Sequence, residues 1–298
     1  MGNPPKRWRF LNSGSGNAFF NMAVDEAVAR EVASGSSVPT VRVFGWSPPA
    51  VSFGYAQRVA REVDLEKCRR MGVGVVRRPS GGRAVLHWNE LTYSVLCPEE
   101  DPILGGSIQD SYRKISLCLV DGLRSLGLEV EFEPGRQASV SPRGKTLTAP
   151  CFSSTSQYEV TLRGRKMIGS AQRRLEGALL QHGSLLMGPQ HKRIVDLLPA
   201  GREAFRDRFA IELDAHTISL EEAAGRIYAF DEVAEAIRGG FLGTMAGALE
   251  DGGLSPEERS LADDLMLGKY AADAWNLGAP EGTGGGAAVP AANAARGL

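Results

Sequence analysis

Between Val73 and Leu96 the chain carries three strand-like runs, Val73 to Arg78, Arg83 to His87 and Leu91 to Leu96, with only short connections between them. The first junction is the glycine pair Gly81-Gly82 in R-R-P-S-G-G-R-A-V-L-H, and the second is Trp88-Asn89-Glu90. Neither has room for the crossover of roughly a dozen residues that a parallel pair requires, so hairpins are expected. A regular βαβ alternation is thereby disfavoured. Further strands are predicted over Trp8 to Leu11, Thr40 to Phe44, Val51 to Tyr55 and Leu128 to Phe132. Helices are predicted over Asn17 to Ala33, Asp64 to Met71 and Ile108 to Leu126, each followed closely by a glycine suited to a left-handed cap. The last shows Ile108, Tyr112, Ile115, Leu119, Leu123 and Leu126 on one face. The expected class is α+β, mixed β-sheets packed with helices.

Later segments turn helical. Ser219-Leu220-Glu221-Glu222 and Ser255-Pro256-Glu257-Glu258 both fit the capping box. From Gly278 the composition falls to Gly, Ala, Pro and Asn, too little apolar surface to offset chain entropy. The predicted organisation is a catalytic domain over 1–245, a helical extension over 246–277 and a disordered tail over 278–298.

Several function classes are disfavoured. A formal net charge of -1 gives no general affinity for nucleic acid. Cys68, Cys97, Cys118 and Cys151 stand singly, with neither a CxxC pair nor Cys/His metal spacing, which suggests a reducing compartment. No apolar leader follows M-G-N-P-P-K-R, and Lys6 occupies the position where myristoylation wants Ser or Thr. A cytoplasmic location is expected.

The chemistry concentrates between Cys151 and Leu186. Cys151 follows a polar loop (134–150) and precedes Ser153, Ser154, Thr155 and Ser156, with Lys145, Arg163, Arg165 and Lys166 nearby in sequence. Cations beside a thiol favour the thiolate, whereas a lone cysteine in an apolar run is ordinarily a small hydrophobe. Lys166, just past a hairpin turn in G-R-K-M-I-G-S-A, reads either as a solvated lysine or as a holder of a carbonyl oxygen. The small residues Gly169, Ser170 and Ala171 after it leave room for close approach of a ligand. Arg77, Ser80, Gly81 and Gly82 form a tight turn able to wrap a carboxylate, phosphate or acyl chain; it lacks the Walker ending and the dinucleotide spacing. His87 and His182-Gly183 occupy strand positions, with structural histidines the default reading. Arg58, Arg61, Lys67, Arg69, Arg70, Arg77, Arg78 and Arg83 crowd one stretch, either a solvated face or a landing site for an acidic partner.

Five blocks in order carry a resemblance: N-M-A-V-D-E-A, R-V-F-G-W-S-P-P-A-V-S-F-G-Y-A-Q, R-R-P-S-G-G-R-A-V-L-H-W-N-E-L-T-Y-S-V, G-R-K-M-I-G-S-A-Q-R-R and L-L-Q-H-G-S-L-L. From about Trp8 to Leu198 the chain resembles the lipoate–protein ligase/octanoyltransferase family, which implies a biotin/lipoate protein ligase-like catalytic fold. A-P-C-F-S-S-T-S-Q-Y-E-V resembles the octanoyltransferase branch whose nucleophile is a cysteine in this loop, which places that role on Cys151. Trp88-Asn89 departs from relatives that more often carry an acidic residue after the histidine.

The resemblance implies transfer of an octanoyl group from octanoyl-acyl carrier protein to Cys151, then to a lysine of a lipoyl domain, such as glycine cleavage H protein or a 2-oxoacid dehydrogenase E2. Neither ATP, a metal nor any other cofactor is expected. Lys166 would hold the acyl carbonyl, and Gly81, Gly82, Gly169 and Ala171 would line the acyl tunnel. The candidate substrate-binding set is Arg77, Ser80, Gly81, Gly82, His87, Gly169, Ser170, Ala171, His182 and Gly183. Transfer between two lipoyl-domain proteins, ATP-dependent ligation of lipoate, and a non-catalytic lipoyl-domain binder are the competing readings.

Overall fold

A computed structural model describes residues 7–134, 158–245 and 249–278. Eleven strands occur among them: β1 (Trp8–Gly16), β2 (Thr40–Trp46), β3 (Ala50–Phe53), β4 (Gly74–Arg77), β5 (Val85–His87), β6 (Glu90–Pro98), β7 (Glu131–Pro134), β8 (Tyr158–Leu162), β9 (Arg165–Leu175), β10 (Ala178–Leu186) and β11 (Leu249–Asp251). Eight of them make one sheet in the order β11-β1-β2-β6-β10-β9-β8-β7. Its β1 pairs are parallel and its other pairs antiparallel. A second sheet has the order β4-β3-β5, with β3 parallel to β4 and antiparallel to β5.

The helices are α1 (Ala18–Ser34), α2 (Val59–Glu62), α3 (Leu65–Arg70), α4 (Ile108–Ser125), α5 (Glu203–His216), α6 (Leu220–Ala224), α7 (Phe230–Thr244), α8 (Pro256–Leu265) and α9 (Asp273–Asn276). A 3₁₀ segment, Pro189–Leu197, and a π-helical turn, Met266–Tyr270, complete the described elements. The class is α+β. Among the described residues no helix is long and apolar enough to cross a membrane.

The runs between Val73 and Leu96 are strands, but they do not pair as consecutive hairpins. The earlier strand β3 lies between β4 and β5, reached from β4 through α2 and α3. Strands β5 and β6 fall in different sheets, so the turn at Trp88-Asn89 joins two layers rather than closing a hairpin. Asn89 makes that corner with a φ of 52°, a left-handed conformation that asparagine tolerates better than most side chains.

Helix α1 is buried along Ala23, Val24, Ala27 and Val28, as its spacing predicts, with Asn17 as its cap. Helix α4 buries Ile115, Leu119 and Leu123. Ile108, expected on the same face, is exposed because it stands in the first turn, beyond the sheet. Both predicted capping boxes form, at Ser219 and Ser255.

The described part of the expected C-terminal extension packs on the same body. β11 adds to the main sheet beside β1, and Glu258 receives two hydrogen bonds from Arg9 at 2.6 and 2.7 Å. Lys269 Nζ lies 2.6 Å from Glu26 Oε2, and the Tyr270 hydroxyl donates to the same carboxylate oxygen. Residues 279–298, which hold most of the tail predicted to be disordered, lie outside the described residues.

Candidate active site

Strands β9 and β10 run antiparallel with His182 opposite Ala171, Gly183 opposite Ser170 and Ser184 opposite Gly169. This register sets the small-residue run against the histidine-glycine pair. They enclose a narrow cavity of about 30 Å³, whose other walls include Met22, Trp46, Ser52, Arg78, Val85 and His87. Gly183 has no substitute here: a Cβ would lie 2.7 Å from Gly169 O, Ser170 Oγ and Tyr93 Cε1 alike. Beside it opens a wider cleft of about 330 Å³, lined by Gly81, Gly82, Ile108, Tyr112 and the shared Ser170 and Ala171. Gly82 turns there with φ of 92°, a conformation that favours glycine.

Behind the narrow cavity lies a buried polar network. Asp25 of α1 pairs with Arg42 of β2 at 2.7 Å, both side chains wholly buried. Its second oxygen accepts from Ser94 Oγ at 2.7 Å and lies 3.2 Å from His182 Nδ1. His182 Nε2 in turn is 2.5 Å from Ser80 Oγ. Burial pushes the Asp25 carboxyl up, but Arg42, His182 and Ser94 outweigh it and hold the group below the usual carboxylate range. Arg42 also donates to Asn21 and Ser13, so α1, β2, β6, β10 and the Ser80 turn are tied at one point.

A second imidazole stands across the cavity. His87 stacks on Trp46 with ring centroids 4.0 Å apart, and its Nε2 is 2.8 Å from Ser52 Oγ. Its Nδ1 is 3.5 Å from Glu90 Oε1, too far and too poorly aligned for a hydrogen bond. Burial keeps His87 below the usual imidazole range against the upward pull of Glu90.

The structure thus brings together Ser80, Gly81, Gly82, His87, Gly169, Ser170, Ala171, His182 and Gly183. Arg77 is elsewhere. Its guanidinium donates to the carbonyls of Tyr55, Gln57, Trp275 and Asn276, clamping the C-terminal segment, while Arg78 faces the cavity. Lys166 is buried on β9, three residues before Gly169, with Nζ 2.7 Å from Glu159 Oε1; it lines neither cavity. Cys151 lies outside the described residues. Cys68, Cys97 and Cys118 are buried, and burial pushes the Cys68 and Cys118 thiols up to about 11, away from reactive thiolate. Of the arginine-rich stretch, Arg58, Arg61, Arg69 and Arg70 are exposed, whereas Arg77 and Arg78 point inward.

Asp25, Arg42, Ser94, Trp46 and Glu90 were not singled out from sequence as site residues. A signal existed for the ion pair, since Asp25 interrupts the apolar run of α1 and Arg42 that of β2. Charges inside such runs are buried only when paired.

The description "Lipoyl protein ligase A/B catalytic domain" fits residues 17–242. The chain is 45% identical to octanoyltransferase LipM of Kyrpidia tusciae, over 90% of this chain and 98% of that one. It is 36% identical to octanoyltransferase LipM of Bacillus subtilis, over 90% and 97%. In three dimensions it is similar to a bipartite lipoate protein ligase of Thermoplasma acidophilum, with TM-score 0.73, 26% identity and coverage of 93% and 97%. A lipoate-protein ligase A crystallised with ATP gives TM-score 0.71 at 26% identity, covering 91% and 99%.

Proposed function

Because the chain belongs to the lipoyl protein ligase A/B catalytic family, we infer that it is an octanoyltransferase of lipoate biosynthesis that places an octanoyl group on a lysine of a lipoyl domain. The observation that carries this reading is agreement along nine-tenths of the chain with relatives bearing that activity's name. The cavity suits it chemically. Its walls of Gly169, Ala171, Gly183, Val85 and Met22 offer an unbranched alkyl chain contact without steric demand.

The donor is octanoyl-acyl carrier protein and the nucleophile Cys151. Its thiolate sulfur bonds to the thioester carbonyl carbon, and the carrier's thiol departs with a proton. The lysine amine then bonds to that carbon, the bond to Cys151 breaks, and the amine proton leaves with the sulfur. An amide is formed from a thioester, which runs downhill without ATP, and the two-step path is covalent catalysis. Lys166, its head group fixed by Glu159 at 2.7 Å, supplies positive charge for the developing oxyanion. A preorganised donor of this kind is worth roughly 2.7–4 kcal/mol. The exposed Arg58, Arg61, Arg69 and Arg70 offer an acidic carrier protein a landing surface.

The test is to mix the protein with octanoyl-carrier protein and unmodified lipoyl domain, with and without ATP. Octanoyl-lysine is expected in both. Product formed only from free octanoate and ATP would overturn the reading in favour of a ligase.

A further inference from the structure

The Trp46–His87 stack is a partition, because both residues also line a second cavity on its far side, about 220 Å³ in volume. The rim of that cavity, at Ser15 and Asn89, is exposed, and Glu90 and His87 in its lining are more than nine-tenths buried. Aromatic rings of Trp46, Tyr228 and Phe230 form much of the wall.

Glu90 is in an unusual position for a buried carboxylate. Its Oε1 accepts from Thr92 Oγ1 at 2.7 Å, but Oε2 is buried with no hydrogen-bond partner. No lysine or arginine forms an ion pair with it among the described residues, and its one ionisable neighbour, His87, is held neutral by burial. A buried carboxylate without a cation pays its desolvation uncompensated. His87 Nδ1, 3.5 Å from Glu90 Oε1, is likewise without a partner.

We propose that this cavity seats the acceptor amine: Glu90 and the rings of Trp46, Tyr228 and Phe230 take a primary alkylammonium, the head group of the lysine that receives the acyl chain. The inference rests on the acyl-transfer reading above. An ammonium supplies both what Glu90 lacks, a cation and three donors, and what aromatic faces attract. The cleft at Gly81 and Gly82 does not suit it, having no carboxylate in its lining. The acyl slot therefore lies between two mouths of different chemistry, and the acidic, aromatic one suits the amine.

Titration of the full chain with n-butylammonium chloride, followed by NMR and compared with 1-butanol, tests the site directly. Preference for the ammonium is expected, weakened at least about ten-fold by the isosteric Glu90→Gln and about two- to five-fold by Phe230→Leu. Equal binding of 1-butanol, or unchanged ammonium binding by Glu90→Gln with an unchanged melting temperature, would overturn the assignment. In turnover, Glu90→Gln is expected to raise KM for the lipoyl domain about ten-fold while octanoyl-enzyme forms from the donor at the wild-type rate. An unchanged KM also overturns it. Should the wild-type protein form no octanoyl-enzyme, the acyl-transfer reading fails, and the ammonium titration still reads the cavity by itself.

Discussion

The acyl cavity is flanked by two buried imidazole–carboxylate pairs built on one plan. Each histidine has Nε2 against a serine hydroxyl, Ser80 for His182 and Ser52 for His87, and Nδ1 toward a carboxylate, Asp25 or Glu90. They differ in how the carboxylate is completed. Asp25 has Arg42 on one oxygen and Ser94 with His182 on the other, whereas Glu90 has Thr92 on one oxygen and nothing on the second. A completed network holds elements together and wants nothing more. An incomplete one in the lining of a cavity has capacity left for a ligand.

Substitution separates the two pairs most sharply at Asp25. Asp25→Ala strands the Arg42 guanidinium in the core, and urea unfolding is expected to show a loss of about 3–5 kcal/mol. A loss under about 1 kcal/mol would mean that the network does not hold α1 to the sheet.

A third buried imidazole, His191, serves as the reference without a hydrogen-bonded carboxylate. Its ring nitrogens meet Gly188 O and Thr217 Oγ1, and burial lowers its pKa to about 4. The unfolded chain takes up the proton near 6.5, so stability is full above that pH and falls as the solution passes down through about 4. The difference between wild type and His191→Gln across this window is expected to be on the order of 2–3 kcal/mol; parallel stability curves would contradict it. Gly183→Ala is next, with about 1–3 kcal/mol of overpacking against Tyr93 and the β9 backbone and a loss of octanoyl transfer, read by unfolding and by product assay. Smallest is Glu90→Gln, which leaves no cation behind and is expected to stay within about 0.5 kcal/mol of wild type or to gain stability.

These contrasts also show which parts of the molecule are legible in sequence. The class, helices α1 and α4, both capping boxes and the apposition of Gly169–Ala171 with His182-Gly183 follow from local pattern, because periodicity, caps and hairpin turns are short-range signals. The place of β3 between β4 and β5 does not, since strand order is decided by long-range packing. Arg77 and Arg78 are adjacent in sequence and look equivalent, yet alternation along the strand sends one to the C-terminal segment and the other to the cavity. The partner of His182 is 157 positions away at Asp25, and no spacing rule links them. Asn89 becomes intelligible only once the turn is seen to need a left-handed residue.

The central claim is that the acyl group passes through Cys151. Mixing the protein with octanoyl-carrier protein in the absence of acceptor and measuring intact mass tests it most directly. The account predicts a gain of one octanoyl group, mapped to the peptide containing Cys151 and abolished by Cys151→Ala. An adduct that survives this substitution, or transfer to the lipoyl domain by the Cys151→Ala protein at the wild-type rate, would contradict it.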